Sequence, residues 1–287
     1  MEGLLFFAVR DMRPVDETRQ QLLHWFAPIE RCAVAYSGGV DSAVVAQAAF
    51  LALGDGATAI TGTSASLAAG ELENAIAVAR QIGIRHEVIS TQEFDNDAYL
   101  RNAPDRCYHC KTELYTRLEH LARQRDVGVI LNGANADDVG DYRPGMRAAA
   151  EHLVRSPLLE CGLTKQDVRN LAEHWSLPVW DKPASPCLSS RVAYGEAVTP
   201  ERLVMVDKAE QFLRENGFTL VRVRYHPGDL ARIEVPVGEL NRMVEMTLRD
   251  QLIQHFRQLG FRFVTMDVEG FRSGSLNSLV PLAIPSR

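Results

Sequence analysis

The stretch Ser37-Gly38-Gly39-Val40-Asp41-Ser42 follows directly on the apolar run Cys32 to Tyr36 and precedes the small-residue helical pattern Ala43 to Leu53. A short strand, a glycine loop and a helix start, in that order, point to an α/β fold whose loop can cradle an anion. Glycines let backbone N–H groups approach the anion, and the helix N-terminus adds unpaired donors and partial positive charge. Ser37 and Ser42 offer hydroxyls to phosphate. Asp41 would repel phosphate directly and suits a Mg²⁺ ion bound to it. The loop lacks the Gly-Lys-Ser/Thr ending of a Walker loop. The same elements also build an unliganded turn with a capped helix, since Gly-Gly turns and Ser or Asp caps are common.

The bulk properties fit such a fold. Its 287 residues suffice for about two domains, and 46% hydrophobic with 24% charged content is ordinary for a globular protein. A net charge of −6 and a pI near 5.8 argue against a nucleic-acid partner, so an anionic substrate has to be caught locally. The opening run Leu4 to Val9 is too short to span a bilayer and has neither a basic flank nor a cleavage site. The expectation is a cytoplasmic protein with no membrane contact.

From Arg31 to about Leu177, short apolar runs alternate with amphipathic stretches. The pattern predicts strands over Cys32 to Tyr36, Thr58 to Thr63, Arg85 to Ile89 and Val127 to Asn132. It predicts helices over Ala43 to Leu53, Ala68 to Ile82, Lys111 to Arg125 and Lys165 to Trp175. This alternation makes a parallel sheet covered by helices, with ligands bound beyond the carboxyl ends of the strands, where Ser37, Ser64 and Gly133 fall. Residues 1–177 form this first unit, and Pro178, Pro183 and Pro186 mark a connecting loop over 178–199. Residues 200–287 read as a smaller α/β domain, with helices Glu201 to Asn216 and Val237 to Leu259. Its strands run Thr219 to Tyr225, Ala231 to Val235 and Arg262 to Val268, and Ser275 to Arg287 reads as a partly docked tail.

Five cysteines in uneven spacing do not make a secreted disulfide framework. Cys107 and Cys110 stand in Arg106-Cys107-Tyr108-His109-Cys110-Lys111, so one turn of chain can present both thiolates to one centre. Cys187 lies far downstream in Ser185-Pro186-Cys187-Leu188-Ser189-Ser190-Arg191. The pair admits a redox role, half of a zinc site with His109, or two ligands of an iron–sulfur cluster that Cys187 completes. Such a three-cysteine cluster keeps one iron open for substrate or an extra sulfide. Cys187 alone can also serve as a nucleophile. Cys32 and Cys161 read as buried structural thiols.

The glycine loop resembles the SGGxDS loop of the ATP pyrophosphatases, which split ATP into AMP and pyrophosphate. With the Cys107 segment, Trp180 to Arg191, Asn132 to Asp138, Arg222-Val223-Arg224 and Asp267 to Ser275, it resembles the LarE family of ATP-dependent sulfur transferases along nearly the whole chain. The resemblance implies a PP-loop (adenine nucleotide alpha hydrolase-like) domain and a smaller domain for substrate binding and oligomerisation, in a trimer-based hexamer. It implies ATP and Mg²⁺ as cofactors and a pyridinium dicarboxylate mononucleotide as substrate. Each carboxylate is adenylated and converted to thiocarboxylate for the nickel-pincer cofactor of lactate racemase-type enzymes. One branch of the family sacrifices the sulfur of a single cysteine. Another carries three cysteines resembling the ligands of a 4Fe-4S cluster fed by a sulfide source, and this chain has the three-cysteine set.

Carried onto this sequence, the resemblance gives Ser37, Gly38, Gly39, Val40, Asp41 and Ser42 to ATP phosphate and Mg²⁺, with Thr61, Ser64 and Gly133 framing adenine and ribose. Cys107, Cys110 and Cys187 become metal ligands and Cys187 the reactive thiol. Ser190 supplies a hydrogen bond, and Arg191 orients the substrate carboxylate. Arg222 and Arg224 alternate on one strand, so both face one side and can grip a substrate phosphate. Glu210 is a weaker metal-ligand candidate, set against a plain exposed helix charge. A tRNA thiolase and a non-catalytic, nucleotide-responsive metal-binding module are the competing readings.

Overall fold

A computed structural model of the chain describes residues 14–139 and 144–272. The opening run Leu4 to Val9, the tail Ser275 to Arg287, and Ser273 to Ser275 of the last motif lie outside the described residues.

The first half runs α1 (Val15–Trp25), β1 (Cys32–Ala35), α2 (Val40–Leu53), β2 (Ala57–Thr63), α3 (Glu71–Ile82), β3 (Arg85–Ser90), α4 (Asp97–Leu100), α5 (Arg106–Arg125) and β4 (Val129–Leu131). Three helices follow: α6 (Pro144–Glu151), α7 (Pro157–Glu160) and α8 (Lys165–His174). The four strands form a parallel sheet in the order β3-β2-β1-β4. Because β1 pairs with β2 on one side and β4 on the other, the loops leaving β1 and β4 diverge at a switch point, where such sheets open a ligand crevice. Helix α2, which carries the glycine loop at its start, buries Val40, Ser42 and Ala43 through Ala46 as well as Ala48 and Ala49. A helix buried on several faces needs small side chains, and this explains its alanine content.

The second half runs α9 (Pro200–Glu215), β5 (Arg222–His226), β6 (Leu230–Glu234), α10 (Leu240–Met243), α11 (Met246–Leu259) and β7 (Phe263–Met266). Its sheet has the order β5-β6-β7, antiparallel then parallel. A separate core packs Leu203, Val206, Leu213, Val223, Ile233 and Phe256. Leu188 and Val192 of the connecting loop and Tyr99 from the first half also lie in that core, so the loop bearing Cys187 is packed.

The α/β class and the parallel sheet are as the pattern predicts; the differences are local. Residues Lys111–Arg125 belong to a helix that starts five residues earlier, at Arg106, and this places Cys107 and Cys110 inside its first turns. The single helix expected over Val237 to Leu259 breaks at Val244-Glu245, where Glu245 takes an extended ψ of 129° as the cap of α11. Leu240 before the break and Leu248 after it both pack against the core of the second half. Among the described residues no helix is long and apolar enough to cross a membrane.

Candidate active site

The glycine loop leaves β1 as a closed hydrogen-bonded ring. Ser37 N–H donates to Ser42 Oγ (3.2 Å), Ser42 Oγ donates to the Gly39 carbonyl (3.1 Å), and Gly39 N–H donates to Ser37 Oγ (3.3 Å). Gly38 sits at φ +72°, and a Cβ there would lie 2.8 Å from Ala75 Cα of α3. Only glycine fits a left-handed turn pressed so close to a helix. Gly133, just past β4, approaches the loop from the other side; a Cβ there would lie 2.9 Å from Ser42 N. The start of α2 thus rests between two backbones, its first-turn N–H groups available to an anion.

Asp41 is not free in this arrangement. Its Oδ2 pairs with Lys165 Nζ at 2.5 Å, and its Oδ1 accepts from Asn135 Nδ2 at 3.2 Å. Lys165 is held in place by its own N–H, which donates to Asp137 Oδ2 (2.8 Å). Sequence reading did not single out Lys165 or Asn135. A carboxylate and a movable ammonium side by side at a phosphate loop match a Mg²⁺–polyphosphate ligand in charge.

At the end of β2, Thr61 Oγ1 donates to the Tyr36 carbonyl (2.8 Å) and also contacts His86 Nε2 (2.8 Å). Its hydroxyl therefore ties β2 to β1 rather than pointing at a nucleotide, and only its backbone can frame one. Ser64 Oγ donates to Glu93 Oε1 (2.5 Å), which Ser66 Oγ also approaches (3.2 Å). Glu93 is buried, and its Oε2 has no hydrogen-bond partner among the described residues. The carbonyl of Ser66 accepts Leu188 N–H (2.8 Å), which docks the residue after Cys187 onto the end of β2.

That docking is one of several, because four arginines hold the carbonyls of the thiol loop. Arg222 Nη2 donates to Ala184 O (3.0 Å), Arg191 Nη1 to Pro186 O and to Cys187 O (3.1 Å), Arg106 Nη1 to Ser189 O (2.8 Å), and Arg224 Nη1 to Ser190 O (3.1 Å). Ser190 Oγ itself donates to Cys187 O (2.7 Å), and Tyr99 OH meets Ser189 Oγ at 2.6 Å. The loop is fixed while its thiol stays exposed.

Two expectations change here. Arg191 is only 1% exposed, and its Nε pairs with Glu210 Oε1 at 3.0 Å, so it orients the Cys187 loop rather than a substrate carboxylate. Glu210 is fully buried on α9, against the expected exposed charge. It accepts from Arg191, from Arg214 Nη2 (2.6 Å) and from Val223 N–H (3.1 Å), and these partners leave little room for a metal. Arg224 pairs with buried Glu234 through Nε (3.0 Å) and Nη2 (2.8 Å). Arg222 forms no ion pair among the described residues, and burial, then the nearby Arg191, pulls its pKa down to about 10. Of the two strand arginines it is the one whose charge an incoming phosphate would balance.

The three cysteines share one neighbourhood. Burial pushes the Cys110 thiol up to about 12, and the charges of Cys187 and Cys107 add to the rise, opposed by Lys111. Cys107 and Cys187 are exposed and Cys110 is partly covered, whereas Cys32 and Cys161 are buried as expected. His109 Nε2 faces Asp105 (3.4 Å), not the thiols. Among the described residues no group of three or more His, Cys, Asp or Glu side chains is arranged to hold a single metal ion. The donor set, three soft thiols beside the cations Arg106 and Lys111, is chemically suited to a cluster, whose irons spread its thiolates wider than one ion does.

Comparisons with known proteins bear on the family. Residues 30–190 match the asparagine synthase family. A Synechocystis sp. protein, slr1717, described as uncharacterized, is 46% identical over 91% of this chain and 97% of its own length. The pyridinium-3,5-bisthiocarboxylic acid mononucleotide synthase of Lactiplantibacillus plantarum is 37% identical over 89% of this chain and 92% of its own. An uncharacterized Methanocaldococcus jannaschii protein, MJ0830, is 28% identical over 84% and 90%. With the phosphate loop at the end of β1 and 37% identity to that synthase over most of both chains, this chain belongs to the LarE family of ATP-dependent sulfur transferases.

Proposed function

We propose that the chain adenylates the carboxylates of a pyridinium dicarboxylate mononucleotide and converts them to thiocarboxylates for a nickel-pincer cofactor. The observation that carries this reading is the thiol loop, anchored by arginines between the end of β2 and β5 with the Cys187 thiol exposed. A carboxylate resists sulfur attack because oxide is a very poor leaving group. Its oxygen attacks the α-phosphorus of ATP and pyrophosphate departs; sulfur then attacks the acyl carbon and AMP departs.

In this reading residues 1–177 bind ATP, 178–199 bring the thiol and 200–287 hold the substrate and build a cytoplasmic, trimer-based hexamer. Ser37, Gly38, Gly39, Val40 and Ser42 cradle the leaving pyrophosphate, and Asp41 would hold Mg²⁺, which would supply charge neutralisation there, while Lys165 shifts to phosphate. Backbone at Thr61, Ser64 and Gly133 borders the nucleoside. Arg222 receives the substrate phosphate with Arg224 beside it, and Arg191 with Ser190 fixes the loop through the Cys187 carbonyl. Cys107, Cys110 and Cys187 would hold a 4Fe-4S cluster, which supplies a site for exchangeable sulfide.

Pyrophosphate release from ATP, measured with no acceptor, with the mononucleotide and with bulk tRNA, tests the assignment. Release is expected with the mononucleotide alone. Release with tRNA instead, or no release with any acceptor, contradicts it.

A further inference from the structure

Four arginines among the described residues are buried: Arg106, Arg191, Arg222 and Arg224. Burying a guanidinium without an opposite charge is expensive, and proteins ordinarily pair it. Arg191 is neutralised by Glu210 and Arg224 by Glu234. Arg222 faces the proposed phosphate. Arg106 is the fourth, and among the described residues its hydrogen-bond partners are neutral: Asn102 Oδ1 and the Ser189 carbonyl (2.8 Å) on Nη1, and Cys107 Sγ at 4.0 Å from Nη2. It forms no ion pair with a carboxylate among the described residues, although the chain as a whole is acidic. Its position is built: Asn102, at φ +53° and fully buried, donates to the Val192 and Ala193 carbonyls while accepting from Arg106.

The groups beside this charge belong to the exposed thiols: Cys107 Sγ lies 4.0 Å from Nη2, and Nη1 holds the carbonyl of Ser189, two residues past Cys187. A fixed cation with no carboxylate partner among the described residues, beside one exposed thiol and bonded to the loop that carries another, is a receptor for a small anion that arrives there. We propose that Arg106 is the fixed positive charge that draws a small anion of reduced sulfur, hydrosulfide, to Cys107 and Cys187. The identity of the anion rests on the sulfur-transfer reading; the existence of the anion site does not.

The test compares alkylation of Cys107 and Cys187 by iodoacetate, which is anionic, and iodoacetamide, which is neutral, in the reduced full-length chain without added iron. Peptide mass spectrometry gives each rate, and the iodoacetate/iodoacetamide ratio is normalised to a free cysteine peptide. The ratio cancels each thiol's own ionisation and exposure, leaving the local potential. With a net charge of −6 a ratio below one would be the default; here it is expected above one at low salt, falling as salt screens it. Arg106→Gln keeps a hydrogen-bond donor and removes the charge, and should lower the ratio about fivefold. Arg106→Lys should keep most of it.

An unchanged ratio in folded Arg106→Gln overturns the site; should that variant fail to fold, a wild-type ratio at or below one does the same. For the ligand, anaerobic sodium hydrosulfide should raise the wild-type melting temperature above that in sodium chloride of equal ionic strength, and this difference should vanish in Arg106→Gln. No such difference in the wild type overturns the sulfur assignment. Neither readout involves ATP or turnover, so failure here and failure of the proposed reaction are distinguishable.

Discussion

Asp41→Asn is expected to slow mononucleotide-dependent pyrophosphate release by about a hundredfold, with the fold intact. Asp41 supplies the anionic charge at the start of α2, between Lys165 Nζ (2.5 Å) and Asn135 Nδ2 (3.2 Å). In the proposed reaction it would hold the Mg²⁺ that neutralises the charge developing on pyrophosphate. Removing one preorganised charge of this kind commonly raises the barrier by about 3 kcal/mol. The amide keeps the size and the contact with Asn135, so stability should change little. ATP affinity should fall less than the rate, because the freed Lys165 ammonium can approach phosphate. Pyrophosphate release and ATP titration on the same samples check this; an unchanged release rate contradicts the assignment of the loop.

Glu210→Ala is expected to cost about 3–5 kcal/mol of folding stability, the usual result of removing one partner from a buried ion pair. The loss strands the Arg191 guanidinium, 1% exposed, and the buried Val223 N–H, both of which now reach Glu210. Glu210→Gln should retain more stability than Ala, because an amide oxygen still accepts from Val223. Urea unfolding of the three proteins measures the order. Since Arg191 also carries the Pro186 and Cys187 carbonyls, alkylation of Cys187 should change with Glu210→Ala while alkylation of Cys107 stays closer to normal. A near-neutral Ala variant would contradict this account of the pair.

The sequence makes the parallel sheet legible because its strands are short apolar runs separated by amphipathic stretches. Helix α1, α6 and the break between α10 and α11 are not legible that way. Within the site, residue types and local spacing reveal the phosphate loop, the thiols and the alternating arginines. They do not reveal pairings between distant segments: Asp41 with Lys165 is 124 residues apart, and Arg106 with Ser189 is 83. Glu210 looks like an ordinary helix charge until Arg191, from another segment, is placed against it. Arg106 stands inside the cysteine motif, and what distinguishes it is that no acidic side chain among the described residues pairs with it.

The central claim, sulfur supplied through three cysteines that are not consumed, is tested most directly by the intact mass of the protein after turnover. Anaerobically reconstituted chain with ATP, Mg²⁺, sulfide and mononucleotide should make more than one thiocarboxylate per chain and keep the mass of Cys187. Cys107→Ala, Cys110→Ala and Cys187→Ala should each abolish the activity, since each removes one anchor of the cluster. A sacrificial reaction would stop at one transfer and leave Cys187 as dehydroalanine, lighter by one H₂S. Dehydroalanine at Cys187, together with full activity in the Cys107 and Cys110 variants, would contradict the cluster account.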